Sequence, residues 1–436
     1  MIIKKANFLR IIRGLVILFL LCLLALTSIV VLMVETEPKV DVKAAEQVAD
    51  ADTVHDLLAQ LESSVTDRHQ AHTITINTQQ LDAIVGFLQR ATAGFRGKVS
   101  VTPDATRVQA SIAIPVELFD GYLNIDATLL PANAFVLEQV KVGDLYIPGG
   151  MAVGLTEWLV NRWTQSNIAT QAREQIEKVS MSNEEVMVSL RPMDGFLRQL
   201  NEVKNGLSVD QDDELRDMTA YYLQYIAWQD ITLADTPQPA IDFIRLTMKR
   251  AAQRSSPEDA AEHNKAAILA LAIFIGHHRV ANFVGDVQPD AEKALKPLTP
   301  PLLRGRNDLA RHFLISAALK ILSEQGVTLA IGEFKELMDR AIGGSGYSFV
   351  DLSADMAGVE FAEVATSPKH AQEVQNMLSQ MHDDSVIMPP IDGLAEGLSK
   401  TQFEDKFGAV DSNDYLDEVA KIKARLATIA LYQLDN

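Results

Sequence analysis

Residues 306–364 hold the densest group of side chains that could carry acid–base or binding chemistry. Three predicted helices in this stretch each place polar residues three or four positions apart, a spacing that puts them on one face. The first helix offers Asp308, His312 and Ser316. If the three helices pack together, carboxylates and one imidazole converge. The candidate catalytic residues are therefore Glu336, His312, Asp339, Asp351 and Asp355.

A glycine-rich loop separates the second of these helices from the third. Glycine lets backbone N–H groups approach a ligand closely, as in many anion-binding loops. The loop is therefore a candidate ligand-binding segment. It contains Gly343, Gly344, Ser345, Gly346 and Tyr347.

Each of these residues also has a structural interpretation, which the sequence leaves open. Ser348 can cap the third helix with Asp351 in its first turn. His312 can be a hydrogen-bonded structural histidine, and Glu336 can be a surface partner of Arg340. The glycines can end a helix and form a turn. No group has the spacing typical of metal ligands, so we predict no metal site, and the sequence identifies no cofactor.

Most standard enzyme signatures are missing. The chain contains no G-x-S-x-G, H-E-x-x-H, Walker A or dinucleotide-binding G-x-G-x-x-G sequence. The single cysteine, Cys22, lies in an apolar stretch near the N-terminus. Residues beyond this stretch therefore cannot supply a cysteine nucleophile, a cysteine-ligated metal or an internal disulfide.

The order of residues in the 306–364 stretch resembles the VanZ-like and YfiM-like envelope proteins. These families share a helix with His-Phe and a later Ser, a helix with Glu, and a segment of the form Ser-Phe-x-Asp-Leu with a later Asp or Asn and Gly. The resemblance implies an envelope location without specifying a reaction, and this copy differs in having a soluble character. The matching residues are His312, Phe313, Ser316, Glu336, Ser348, Phe349, Asp351, Asp355 and Gly358.

Length and composition limit the class of protein. A chain of 436 residues, 47% hydrophobic and 22% charged, is long enough for two or three folded domains. Its 39 basic residues face 58 acidic ones, which gives a formal charge of −19. Nucleic acid is therefore not an expected partner, because phosphate binding needs a cationic surface.

Leu15 to Val34 form a stretch of twenty residues without charge. As a helix this stretch is about 30 Å long, the thickness of a bilayer's hydrocarbon core. Basic residues precede it and acidic residues follow it. We therefore predict an inner-membrane anchor with residues 1–14 in the cytoplasm and the bulk of the chain in the periplasm. The rival interpretation is a cleaved signal peptide, but bulky Ile29 to Val34 offer no small-x-small cleavage site. We expect anionic lipid to repel the acidic body.

The remaining chain divides into a linker and helix over 35–69, an α+β domain over 70–204, and an α-helical domain over 205–436. Alternating apolar residues in the second region predict an antiparallel sheet with packed helices, including one strand over 135–147 and one helix over 151–176. In the third region, ten apolar residues from Ala266 to Ile275 predict a buried central helix.

The α+β region also resembles a known group. Ile76-Asn77 with Gln80-Leu81, and later Val142-Gly-Asp-Leu-Tyr-Ile-Pro148, resemble the YpmS-like membrane-anchored envelope proteins and, more loosely, tubular lipid-binding folds. This resemblance implies an apolar or lipid ligand, with Trp158 and Trp163 in a candidate apolar groove. The alternative is that these tryptophans belong to the core.

Three functions remain as hypotheses. The first is an envelope protein that binds lipid or another envelope ligand through its α+β domain, with a helical domain that carries a polar site or docks an envelope partner. The second is a peptidoglycan or glycan hydrolase with Glu336 as the general acid. The third is a non-catalytic structural or interaction protein, in which the polar stripes only fix helix packing.

Overall fold

The computed structural model describes residues 20–434, except residues 22, 25, 26, 115–120, 208–212, 285, 286, 288–293, 323–334 and 336–343. These residues form two compact units. We call them the sheet unit (the described residues of 1–44, 59–89 and 93–196) and the helical unit (those of 45–58, 90–92 and 197–436).

The sheet unit is built from antiparallel strands, which confirms the prediction from the alternating pattern. A six-stranded sheet has the order β3-β4-β5-β6-β7, with β1 paired to the first residues of β5. A three-stranded sheet has the order β2-β9-β8. The strands are β1 Val34–Glu35, β2 His72–Asn77, β3 Phe95–Val101, β4 Thr106–Ile114, β5 Gly121–Leu130, β6 Val136–Val142, β7 Leu145–Pro148, β8 Ile176–Met181 and β9 Glu185–Leu190.

Helices make up most of the helical unit and join the strands of the sheet unit. A π-helical turn, Ala272–Gly276, follows α9 directly. The α-helices are α1 Ala44–Gln47, α2 Val54–Thr66, α3 Thr78–Ala91, α4 Gly149–Trp163, α5 Ile168–Gln175, α6 Asp194–Leu207, α7 Asp213–Ala227, α8 Ala240–Arg254, α9 Ala260–Leu271, α10 Ala281–Val284, α11 Asn307–Leu322, α12 Phe349–Thr366, α13 Ala371–Leu378, α14 Lys400–Phe407 and α15 Asn413–Leu426.

Two predicted elements of the sheet unit are each divided by a turn. The single strand predicted over 135–147 is the hairpin β6–β7, which turns at Gly143 with a positive φ of 59°. The helix predicted over 151–176 ends at Trp163 and resumes as α5, because Asn161 ties the turn together. Its side chain accepts a hydrogen bond from the Ala169 N–H and donates one to the Thr170 hydroxyl.

The core of the helical unit contains the apolar run that the sequence singled out. Every residue from Ala266 to Ile275 is buried, which confirms the predicted central helix. Nearby, Asn264 donates hydrogen bonds to the carbonyl oxygens of Ala365 and Ala371 and accepts one from Gln375. This network satisfies a buried amide, as a stable core requires.

The described residues of the predicted anchor, between 20 and 33, are helical, while residues 15–19, 22, 25 and 26 lie outside the described chain. Within the part of the chain that is described, no helix combines the length and apolar character needed to cross a membrane. Beyond Met33 the chain enters β1. The predicted linker over 35–69 is bound to the sheet at its start, since the Lys39 and Val40 N–H groups donate to the Ser111 hydroxyl.

Candidate functional site

A histidine lies between two carboxylates where α11 and α12 pack together. His312 Nδ1 is 3.0 Å from an oxygen of Asp355, and His312 Nε2 is 3.7 Å from an oxygen of Asp351. The Ser316 hydroxyl donates to the same Asp355 oxygen at 2.7 Å. All four side chains are largely buried. The structure thus brings together three of the five predicted catalytic residues. We call these three residues and Ser316 the His312 cluster.

A close helix crossing makes these contacts geometrically feasible. Gly358 lies one turn beyond Asp355 on α12, and a Cβ at this position would be only 2.1 Å from the carbonyl oxygen of Phe313 on α11. Only glycine fits such an approach without a backbone shift. The crossing therefore brings His312 and Ser316 of α11 within hydrogen-bond distance of Asp355. The same hydrogen bonds link α11 to α12.

The two carboxylates keep His312 positively charged. Burial by itself lowers the pKa of His312, but the hydrogen bond to Asp355 and the charges of Asp355 and Asp351 outweigh it and raise this pKa to about 9. The imidazole is therefore an imidazolium at neutral pH. In this state it can donate from both nitrogens, but it cannot act as a general base or as a metal ligand.

The Asp351 carboxyl is shifted in the direction that favours a proton. Its pKa is raised chiefly by burial and also by the charge of Asp308, against the opposing charges of His312 and Arg306. Arg306 is 3.7 Å from Asp351, but its shorter contacts, at 2.6 Å, are with Asp308 and Glu396. One oxygen of Asp351 and one of Asp355 accept no hydrogen bond from the described residues.

A cavity of about 230 Å³ opens beside the His312 cluster. Its wall combines apolar side chains with the polar cluster and with two cations. This combination suits a ligand that has both a polar and an apolar part. The lining residues are Asp308, Arg311, His312, Ile315, Ser316, Leu319, Lys335 and Asp355.

Three of the predicted site residues, Glu336, Asp339 and Gly343, lie outside the described residues. Of the predicted loop, Gly344 and Ser345 are exposed. Gly346 and Tyr347 are buried, because they pack against neighbouring residues of the helical unit.

Backbone contacts determine the shape of the loop. Gly346 has a φ of 84°, and a Cβ there would be 2.5 Å from the backbone of Gly397. The Tyr347 ring packs against Phe403, and its hydroxyl is 3.1 Å from that of Tyr415. Buried in this way, Tyr347 offers a ligand no accessible surface. Ser348 caps α12 by accepting from the Asp351 N–H, so the capping interpretation is confirmed.

Sequence reasoning did not select the basic residues of the site. Arg311 and Lys335 line the cavity, and Arg306 lies beside Asp351. The signal that could have identified Arg306 is its position two residues before Asp308, with which it pairs through two hydrogen bonds. Among the residues that the structure describes, no group of three or more histidine, cysteine or acidic side chains could hold a metal ion.

A second feature lies on the sheet unit, where α4 carries an exposed apolar face. Trp158 is 61% exposed and Trp163 is 73% exposed, so the core interpretation of these tryptophans is wrong. Three further apolar side chains of the same helix are more than half exposed, and they are Met151, Leu155 and Leu159. Large exposed apolar faces on a helix are typical of interaction surfaces.

Comparison of the chain with protein-family models, with curated proteins and with solved structures finds no match. Function is therefore inferred from the geometry of each unit by itself.

Proposed function

We propose that this chain is a single-span protein of the bacterial inner membrane that binds an amphipathic envelope ligand on its periplasmic side. The observation that carries the proposal is the cavity of about 230 Å³ beside the His312 cluster. The ligand would be a lipid or another envelope component with one polar end. This function does not require a reaction at the site.

The anchor is supported by residue types and exposure. Leu15 to Val34 carry no charge, and four basic residues precede them. The described side chains between 20 and 32 are mostly leucine, isoleucine and valine that are exposed in the structure. Burying such a surface in a bilayer is strongly favourable, because it removes apolar side chains from water. The basic flank supports a cytoplasmic N-terminus.

The chemistry of the cavity supports binding of one end of a longer molecule. Its volume is below the roughly 300–1,000 Å³ of pockets that enclose a whole small ligand. Ile315 and Leu319 provide apolar contacts, while His312 and Ser316 provide polar ones. Arg311 and Lys335 also line the cavity, beside the carboxylates of Asp308 and Asp355, and can pair with an anionic group on the ligand.

The test is to purify the full chain from membranes into lipid nanodiscs, extract the bound compounds and identify them by mass spectrometry. Leu319→Trp fills the cavity, while Leu416→Trp adds the same ring at an exposed leucine of the same unit. We expect the wild type and Leu416→Trp to retain a compound that Leu319→Trp lacks. The same compounds in all three samples, or none in the wild type, would rule out this ligand site.

A carboxylate-dependent glycan hydrolase is the second candidate, favoured by the raised pKa of Asp351. Such enzymes need two carboxyl groups that flank the scissile bond. Asp351 and Asp355 contact opposite nitrogens of one imidazole, so the His312 ring occupies the space between them. In this hypothesis the second carboxyl group is that of Glu336, which lies outside the described residues. Full activity of a Glu336→Gln protein on purified sacculi would exclude the version in which Glu336 is the acid.

A further inference from the structure

The exposed apolar face of α4 suggests how the sheet unit is held against a surface. We infer that α4 lies in the interfacial layer of the bilayer that holds the anchor, with Trp158 and Trp163 at the boundary between head groups and acyl chains. This inference rests on the proposed membrane anchor. The apolar face of α4 contacts the bilayer surface, and this contact does not depend on the charge of the lipid.

The apolar side chains of α4 share one side of the helix. At 100° per residue, the five fall within an arc of about 140°, the width expected for an amphipathic helix that lies on a membrane. Tryptophan is the residue type most enriched at the level of lipid head groups, because its ring is apolar and its N–H is polar. The five residues are Met151, Leu155, Trp158, Leu159 and Trp163.

The only carboxylate on α4 is paired with the protein itself. Glu157 forms an ion pair with Arg173 of α5, and Asn161 bonds to Thr170 of α5. These polar groups therefore contact the sheet unit. Arg162 also falls within this arc, but it is exposed in the last turn of the helix, from where a long cationic side chain can extend toward lipid phosphate groups. The formal charge of −19 is summed over the whole chain, whereas the single acidic residue of α4 is ion-paired and lies away from the apolar face.

The position of α4 in the sheet unit brings it near the end of the anchor. The Leu32 carbonyl oxygen accepts a hydrogen bond from the Asp144 N–H, at the turn between β6 and β7. From this turn, four-residue β7 leads directly into α4 at Gly149, a distance of about 13 Å along the chain. α4 therefore begins a short distance along the chain from the residue that contacts the end of the anchor.

The short segment between the turn and α4 has the composition of a membrane interface. Tyr146 is 63% exposed, and the Lys141 ammonium lies 5.2 Å from the centre of its ring. Aromatic and basic side chains of this kind are common beside spanning segments. The apolar surface of the anchor, this segment and α4 thus belong to one unit of the structure.

The three tryptophans of the chain allow a direct test in the full-length protein. With excitation selective for tryptophan, a Trp228→Phe chain fluoresces only from Trp158 and Trp163. A Trp158→Phe/Trp163→Phe chain fluoresces only from Trp228, which is 85% exposed in the helical unit and serves as the matched control. Both chains are reconstituted in phosphatidylcholine vesicles, with ordinary lipid or with lipid brominated at a shallow or a deep acyl position. Carbonate-resistant membrane retention is measured on the same samples.

We expect both chains to stay in the membrane and only the first to lose most of its emission, with shallow bromine quenching more than deep bromine. Membrane retention without quenching of the first chain would overturn the placement of α4 while leaving the anchor intact. Equal quenching of both chains would indicate general adsorption and would overturn it as well. A blue-shifted emission that bromine does not quench would assign the face to a second copy instead. Loss of both chains from the membrane would refute the anchor, and the placement of α4 with it.

Discussion

Replacing His312 by Gln removes the imidazolium that lies between Asp351 and Asp355. Folding raises the pKa of His312 from its ordinary value of 6.5 to about 9. A shift of this size corresponds to ~3 kcal/mol of folding free energy, since each pKa unit is worth about 1.4 kcal/mol. The group is largely buried, so solvent screens this contribution only weakly.

The sign of the effect follows from proton binding. Because the folded protein binds the proton more tightly than the unfolded chain, the stabilisation is fully present below pH 6.5 and is lost as the pH rises through about 9. His312→Gln has no proton to lose in this window. The difference in free energy of unfolding between the wild type and His312→Gln should therefore shrink by ~3 kcal/mol between about pH 6 and about pH 9.5.

The assay is urea unfolding of the full chain in detergent, followed by far-ultraviolet circular dichroism at both pH values. Asn264→Ala is the control, because it removes buried hydrogen bonds from the same unit but no titratable group. Its difference from the wild type should be nearly the same at both pH values. A His312→Gln difference that is also independent of pH would refute the charged state of His312 argued above.

Further substitutions test the packing around the cluster. Gly358→Ala would place a Cβ 2.1 Å from the Phe313 carbonyl oxygen, and we expect a loss of about 1–3 kcal/mol in urea unfolding, whereas Gly154→Ala, in open space on α4, should be neutral or slightly stabilising. Tyr347→Phe removes one buried hydroxyl contact and should cost about 1 kcal/mol by the same measurement; a ligand-binding role would instead change ligand retention without changing stability. Asn264→Ala removes the buried hydrogen bonds to Ala365, Ala371 and Gln375 and should lower the free energy of unfolding by on the order of 3 kcal/mol, and an unchanged midpoint would contradict the network described here.

The sequence pattern predicted regular elements well where one face of an element is buried. In α8, Ala240–Arg254, the apolar residues recur at a period of 3.6 without interruption, and they form the buried face of the helix. The pattern missed β8, since the helical spacing up to Ile176 masks the end of α5. It also missed α14, although Ser399 and Gln402 form a capping box that could have been recognised.

The site was predictable in its residue types but not in its arrangement. Spacing places His312 and Ser316 on one helix face, and the structure brings that face to Asp355. The position of the imidazole between two carboxylates depends on how α11 and α12 cross at Gly358. Helix crossings are set by side-chain packing over the whole unit, so local periodicity does not contain this information.

The junction between β1 and the helical residues before it has a mechanical consequence. Val34 and Glu35 pair with β5 immediately after that helical segment, and the Asp144 N–H holds the Leu32 carbonyl oxygen. A flexible tether would let the folded part swivel freely about its attachment point. Here the hydrogen bonds begin within the last turn, so rotation of the helical segment is transmitted to the β-sheet as torque. The sheet unit should therefore present one constant side to whatever lies at the end of that segment.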